Sequence, residues 1–91
     1  MRYENLIDGQ WMGAERWAPN INPSETTEVI GYAALATPDM AEQAIAAASS
    51  AFPMWSQSPV QQRADVLERV GLEILARKDE LGRLLAREEG K

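Results

Sequence analysis

Two adjacent carboxylates, Glu88 and Glu89, are the first groups in this chain that could do acid–base chemistry. Neighbouring residues on a helix point about 100° apart, so the two do not face a common substrate. A solvated helix end is the better reading of the pair. The serines come next: Ser24, Ser49, Ser50, Ser56 and Ser58. A serine hydroxyl becomes a nucleophile only beside a base, and the chain has no histidine to supply one. It has no cysteine either. That removes a thiolate, a disulfide and, with histidine also missing, a structural zinc site. The six glycines stand singly, so neither a dinucleotide fingerprint nor a phosphate-cradling loop is present. Trp11, Trp17, Tyr32, Phe52 and Trp55 offer rings on which bases could stack, yet the net charge is −5 and no basic groove accompanies them. Core packing explains these rings better, and nucleic acid is not an expected partner.

With no reactive group in view, composition sets what the chain can build. Ninety-one residues make at most one small domain, near the lower limit for folding alone. The hydrophobic fraction is 45%, but 14 of those residues are alanine, which buries little area each. A core of that kind sits near balance against chain entropy. Seven of the nine basic residues lie from Arg63 onward, interleaved with acids, as on a solvated helix face. The opening MRYENLIDGQW has no apolar run of the signal-peptide kind, and no stretch approaches the roughly 18 apolar residues of a membrane span. A cytoplasmic location without a membrane partner is the expectation.

The elements follow from local patterns. Asn5–Met12 predicts a β-hairpin, because Asp8-Gly9 tolerates the positive φ of a type I′ turn and apolar residues flank it. Gly13–Glu25 reads as turn-rich, with Asn22-Pro23-Ser24 a turn in its own right. Thr26–Leu35 reads as a strand, with Val29, Gly31 and Ala33 on one face and Ile30, Tyr32 and Ala34 on the other. Apolar residues on both faces ask for cover on both sides. A first helix starts at the Thr37 N-cap with Pro38 behind it and carries a small-residue stripe, Ala41, Ala44, Ile45, Ala48, Ala51 and Phe52. Pro53 is expected to end that helix, leaving Phe52 and Trp55 to plug the gap to the next.

Ser58-Pro59-Val60-Gln61 predicts a capping box opening a second helix, with Ala64, Leu67, Val70, Gly71, Ile74 and Leu75 inward. Asp65 with Arg69 and Glu73 with Arg77 form i, i+4 pairs on it. The stripe changes phase near Lys78-Asp79, which predicts a third helix or a bend in one long helix. Gly90 is a residue on which that helix can stop. Taken alone, these patterns describe an α+β fragment: an N-terminal hairpin and strand, then two or three amphipathic helices. As a free-standing unit it would be a non-enzymatic interaction module.

The order of these pieces resembles the amino-terminal part of the aldehyde dehydrogenase superfamily. The residues that carry the resemblance are Asp8-Gly9 before Trp11, Asn22-Pro23 before Val29-Ile30-Gly31, Ala47-Ala48 through Phe52 to Trp55, Arg63, and Glu89-Gly90-Lys91. The tail ARKDELGRLLAREEGK looks most like the branch that oxidises semialdehydes of dicarboxylic acids, such as 2-oxoglutarate (2,5-dioxopentanoate) semialdehyde. The resemblance implies that residues 1–91 are the N-terminal part of the α/β NAD(P)-binding domain, cut short at Lys91. The catalytic cysteine, the general-base glutamate, the oxyanion-binding asparagine and the nucleotide-binding units would all lie downstream, so no catalytic or cofactor-binding residue is assigned here. It implies an enzyme that oxidises an aldehyde to a carboxylate with NAD or NADP, through thiolate attack, hydride transfer and thioester hydrolysis. It further implies that the partner of this segment is the remainder of the parent chain, itself a homodimer or homotetramer. One local role is implied: the backbone carbonyls of Asn20 and Ile21 match positions that help ligate a structural monovalent cation.

Overall fold

A computed structural model describes residues 1–91. Strands come first and helices last: β1 (Arg2–Tyr3), β2 (Asn5–Ile7), β3 (Gln10–Met12), β4 (Trp17–Ile21), β5 (Val29–Ala34), α1 (Pro38–Gln57), α2 (Val60–Ala76) and α3 (Lys78–Glu89). The architecture is the α+β arrangement the sequence predicts, with the third helix present as a separate element.

The β2–β3 hairpin forms where Asp8-Gly9 predicts it. Ile7 pairs with Gln10, which leaves Asp8 and Gly9 as a two-residue turn. Both have positive φ, 52° and 74°, the backbone that matches the natural twist of paired strands.

The second sheet departs from the sequence reading. Its order is β1–β5–β4, with β1 parallel and β4 antiparallel to β5. β4 lies inside Gly13–Glu25, which the turn residues had predicted to be irregular. Pro19 has no N–H to give a ladder, and an edge strand is where a sheet tolerates that. β5 starts at Val29, three residues later than expected, because Asn22–Glu28 closes on itself. The Asn22 side-chain oxygen accepts from the N–H groups of Ser24 (2.9 Å) and Glu25 (3.3 Å), and the Glu28 N–H donates to the Glu25 carbonyl at 2.9 Å. β1, too short to announce itself, is held by the Tyr32 N–H donating to the Met1 carbonyl at 2.9 Å. Gly31 permits this approach: a Cβ there would lie 2.5 Å from the Tyr3 ring and 3.1 Å from the Met1 oxygen. Ile30 is the extra residue of a bulge opposite the Asn20–Ile21 step, and it is buried.

Among the helices, α1 is capped as predicted, the Met40 N–H donating to the Thr37 hydroxyl at 3.2 Å. Pro53 does not end it. The helix continues to Gln57. Ser49, whose carbonyl the missing N–H would have met, is exposed to water, and only one further turn follows the proline. The capping box at Ser58 is also absent. No side chain caps α2, and the Ser58 hydroxyl instead donates back to the Trp55 carbonyl at 2.6 Å, closing α1. Arg63 closes the same corner by donating to the carbonyls of Ser56 and Ser58.

Neither predicted i, i+4 ion pair forms on α2. Arg77 turns to Glu80 at 2.7 Å, and Asp65 accepts from the Gln61 amide at 2.8 Å. Arg77 leaves helical geometry (φ −103°, ψ 18°), and this residue separates α2 from α3. α3 stops as predicted on Gly90, which is left-handed at φ 76°.

The core is small. Ile7, Ile30 and Met40 are its buried hydrophobic residues, and Gly31 is buried beside them. The stripe predicted to be buried on α1 is bare, with Ile45 70% and Phe52 66% exposed. Trp55 does not plug the α1–α2 corner, and Leu67, Val70, Ile74 and Leu75 of α2 are likewise exposed. The surface is 7456 Å², against about 5,300 Å² for a compact monomer of this mass. The radius of gyration is 16.8 Å, where about 12 Å would suit a compact domain of this length. Periodicity alone predicts which face is apolar; it does not supply the neighbour that buries it. No helix is long and apolar enough to cross a membrane.

Candidate functional site

The residues singled out by sequence for a ligand role, Asn20 and Ile21, sit at the C-terminal end of β4 where the pairing to β5 is irregular. From there the chain enters the Asn22–Glu28 turn, and the end of α3 lies against both. The Asn20 side-chain amide donates to the Glu88 carboxylate at 2.8 Å. The Ser24 hydroxyl donates to the Gly90 carbonyl. Glu28 receives the Asn22 amide at 3.0 Å on one oxygen and the Arg87 guanidinium at 2.6 Å on the other. These hydrogen bonds hold the Glu28 carboxyl below its ordinary value, the Asn22 bond contributing most and Arg87 next, with partial desolvation opposing them.

Local structure explains why these groups meet. The Asx turn at Asn22 and the edge strand β4 fix one side. The other side is the last turn of α3, whose left-handed terminus brings Gly90 onto the turn. A Cβ at Gly90 would lie 2.6 Å from the Ser24 hydroxyl oxygen and 2.8 Å from Pro23 Cγ. Glycine is therefore required here twice, for its φ and for its closeness to the turn. Glu88 and Glu89 part company as helix geometry demands: Glu88 faces β4, while Glu89 pairs with Lys91 at 3.5 Å. Both glutamates are exposed, as a solvated helix end requires, and Glu88 adds a surface hydrogen bond to Asn20.

Chemically, this constellation positions the end of α3 against β4 and the Asn22–Glu28 turn. It contains no nucleophile with a base, and nowhere do three or more His, Cys, Asp or Glu side chains gather as metal ligands. Asn20 and Ile21 bring their backbone carbonyls to this corner of the sheet, and of the two carboxylates nearby Glu28 is already paired with Arg87 while Glu88 accepts from the Asn20 amide. Two carbonyls suit a hard cation in kind, and more oxygens are needed to complete a shell. A groove of about 480 Å³ beside it, lined by Tyr3, Ala18, Pro19, Leu84 and Glu88, is largely apolar. A second, of about 400 Å³, lies between the hairpin and α1 and offers Asp8, Gln10, Gln43 and Ser50 as its polar groups.

Sequence reasoning missed the roles of Ser24, Glu28, Arg87 and Glu88, which lie about sixty residues apart in the chain. The one local signal was Gly90, whose place at a helix end marks where α3 must meet something closely.

Comparison with known proteins extends this picture. The model of the aldehyde dehydrogenase family matches residues 11–91. The 1-pyrroline-5-carboxylate dehydrogenase of Anoxybacillus flavithermus is 39% identical over 89 residues, covering 98% of this chain and 17% of that protein. The 3,6-anhydro-alpha-L-galactose dehydrogenase of Vibrio sp. strain EJY3 is 37% identical over 92 residues, covering 99% of this chain and 19% of that protein. The solved structure of a 3,6-anhydro-L-galactose dehydrogenase in complex with NAP aligns with all of this chain and 19% of its own, at 32% identity and a TM-score of 0.90. The chain thus spans less than a fifth of the length of the relatives it matches.

Proposed function

This chain belongs to the aldehyde dehydrogenase family, and on that premise we propose that it is the N-terminal framework of the cofactor-binding domain of an NAD(P)-dependent enzyme that oxidises an aldehyde to a carboxylate. The observation that carries the proposal is the bare apolar face of α1 and α2, on a segment that matches its relatives along its whole length. In the proposed enzyme the remainder of a longer chain packs on that face, supplies the cysteine nucleophile and the nucleotide site, and forms the dimer or tetramer. The 91 residues alone, without cysteine or histidine, are inactive. The NAP-bound relative supports a nicotinamide cofactor. Asn20 and Ile21 lend backbone carbonyls to a structural monovalent cation whose other ligands come from the rest of the chain.

For the substrate we infer an aldehyde on a chain that carries a carboxylate. The tail's likeness suggests 2-oxoglutarate semialdehyde. The relatives reported above carry other names, and one of them points to the same class by a different route. 1-Pyrroline-5-carboxylate is a cyclic imine, and opening its C=N bond with water yields an aldehyde on a carboxylate-bearing chain.

A chimera tests the proposal: this chain replaces the matching N-terminal stretch of the 3,6-anhydro-L-galactose dehydrogenase. The chimera should be soluble and reduce the nicotinamide cofactor with an aldehyde substrate, while the isolated chain reduces none. Turnover by the isolated chain, or a chimera that never folds, contradicts it. Substrate class needs a different protein, a longer natural chain that begins with this segment. Preference there for an aldehyde without a carboxylate removes the narrower inference and leaves the family reaction standing.

A further inference from the structure

We draw no further inference here: the strongest candidate, the exposed apolar face of α1 and α2 around Ile45, Phe52, Leu67, Val70 and Ile74, is already assigned above to the rest of a longer chain, and nothing in the structure shows any other partner that covers it.

Discussion

α3 and the α1–α2 pair are both amphipathic, and they treat their apolar faces in opposite ways. α3 is tied at its far end to β4 through Asn20–Glu88 and to the turn after it through Glu28–Arg87 and Ser24–Gly90, and Leu81, Leu84 and Ala86 along it are half-buried. α1 and α2 together bury Met40 alone. The polar contacts at the end of α3 are surface contacts, each worth little in isolation. What they provide is direction: they fix which face of the helix meets β4. α1 and α2 have no such ties beyond the Arg63 corner, so burial is what must place them, and within these residues burial is missing.

The largest expected effect contrasts the two regions by mutation. Ile30→Ala removes a buried side chain from β5 and should cost about 2–5 kcal/mol in the chimera. Ile45→Ala should change the isolated chain by less than about 0.5 kcal/mol, because the residue is already in water there. In the chimera, where the proposed packing covers this face, the same change should cost about 2 kcal/mol or more. Urea denaturation of both proteins measures each value, and an equal effect of Ile45→Ala in the two would erase the contrast.

Gly90→Ala comes next. It forces a left-handed alanine, at about 1–2 kcal/mol, and drives a methyl group into Ser24 and Pro23, at about 1–3 kcal/mol more. Amide exchange over residues 84–90 should accelerate while the β2–β3 hairpin is unchanged; acceleration across the whole chain would mean that α3 is not a local clamp. Thr37→Ala removes the α1 cap and should cost about 1 kcal/mol, read as a lower melting temperature of the chimera.

The smallest effect is that of pH. The carboxyl of Glu28 is held low in the folded chain, so its contribution is complete above the ordinary glutamate value of about 4.3 and fades as pH falls through the lowered one. Exchange protection at the end of α3 should therefore decline only in acid below that value. Glu28→Gln should flatten the decline.

The parts of this fold that were legible in sequence are those set by one residue's own backbone chemistry. Asp8-Gly9 dictates its turn, Thr37 its cap, Gly90 its helix stop, and Asn22-Pro23-Ser24 its turn, although the loop that the Asn22 side chain closes runs on to Glu28. The parts that were not legible depend on a distant neighbour. Pro19 and Asn20 argue against a strand locally, and β5 makes one of them regardless. Pro53 argues for a helix end, but water at Ser49 relieves the lost bond. Ser58 has the composition of a capping box, and its hydroxyl found a nearer acceptor in Trp55. The candidate site shows the same split. Asn20 and Ile21 were named from the family pattern, whereas the clamp around them joins residues from two ends of the chain.

Hydrogen exchange across residues 38–76, in the isolated chain and in the chimera, shows whether α1 and α2 need a partner on their apolar face. Exchange should be fast in the isolated chain and protection at least about a hundredfold greater in the chimera, since local opening free energy rises with buried contacts. Equal protection in both would contradict this need, because α1 and α2 would then be stable with their apolar face in water.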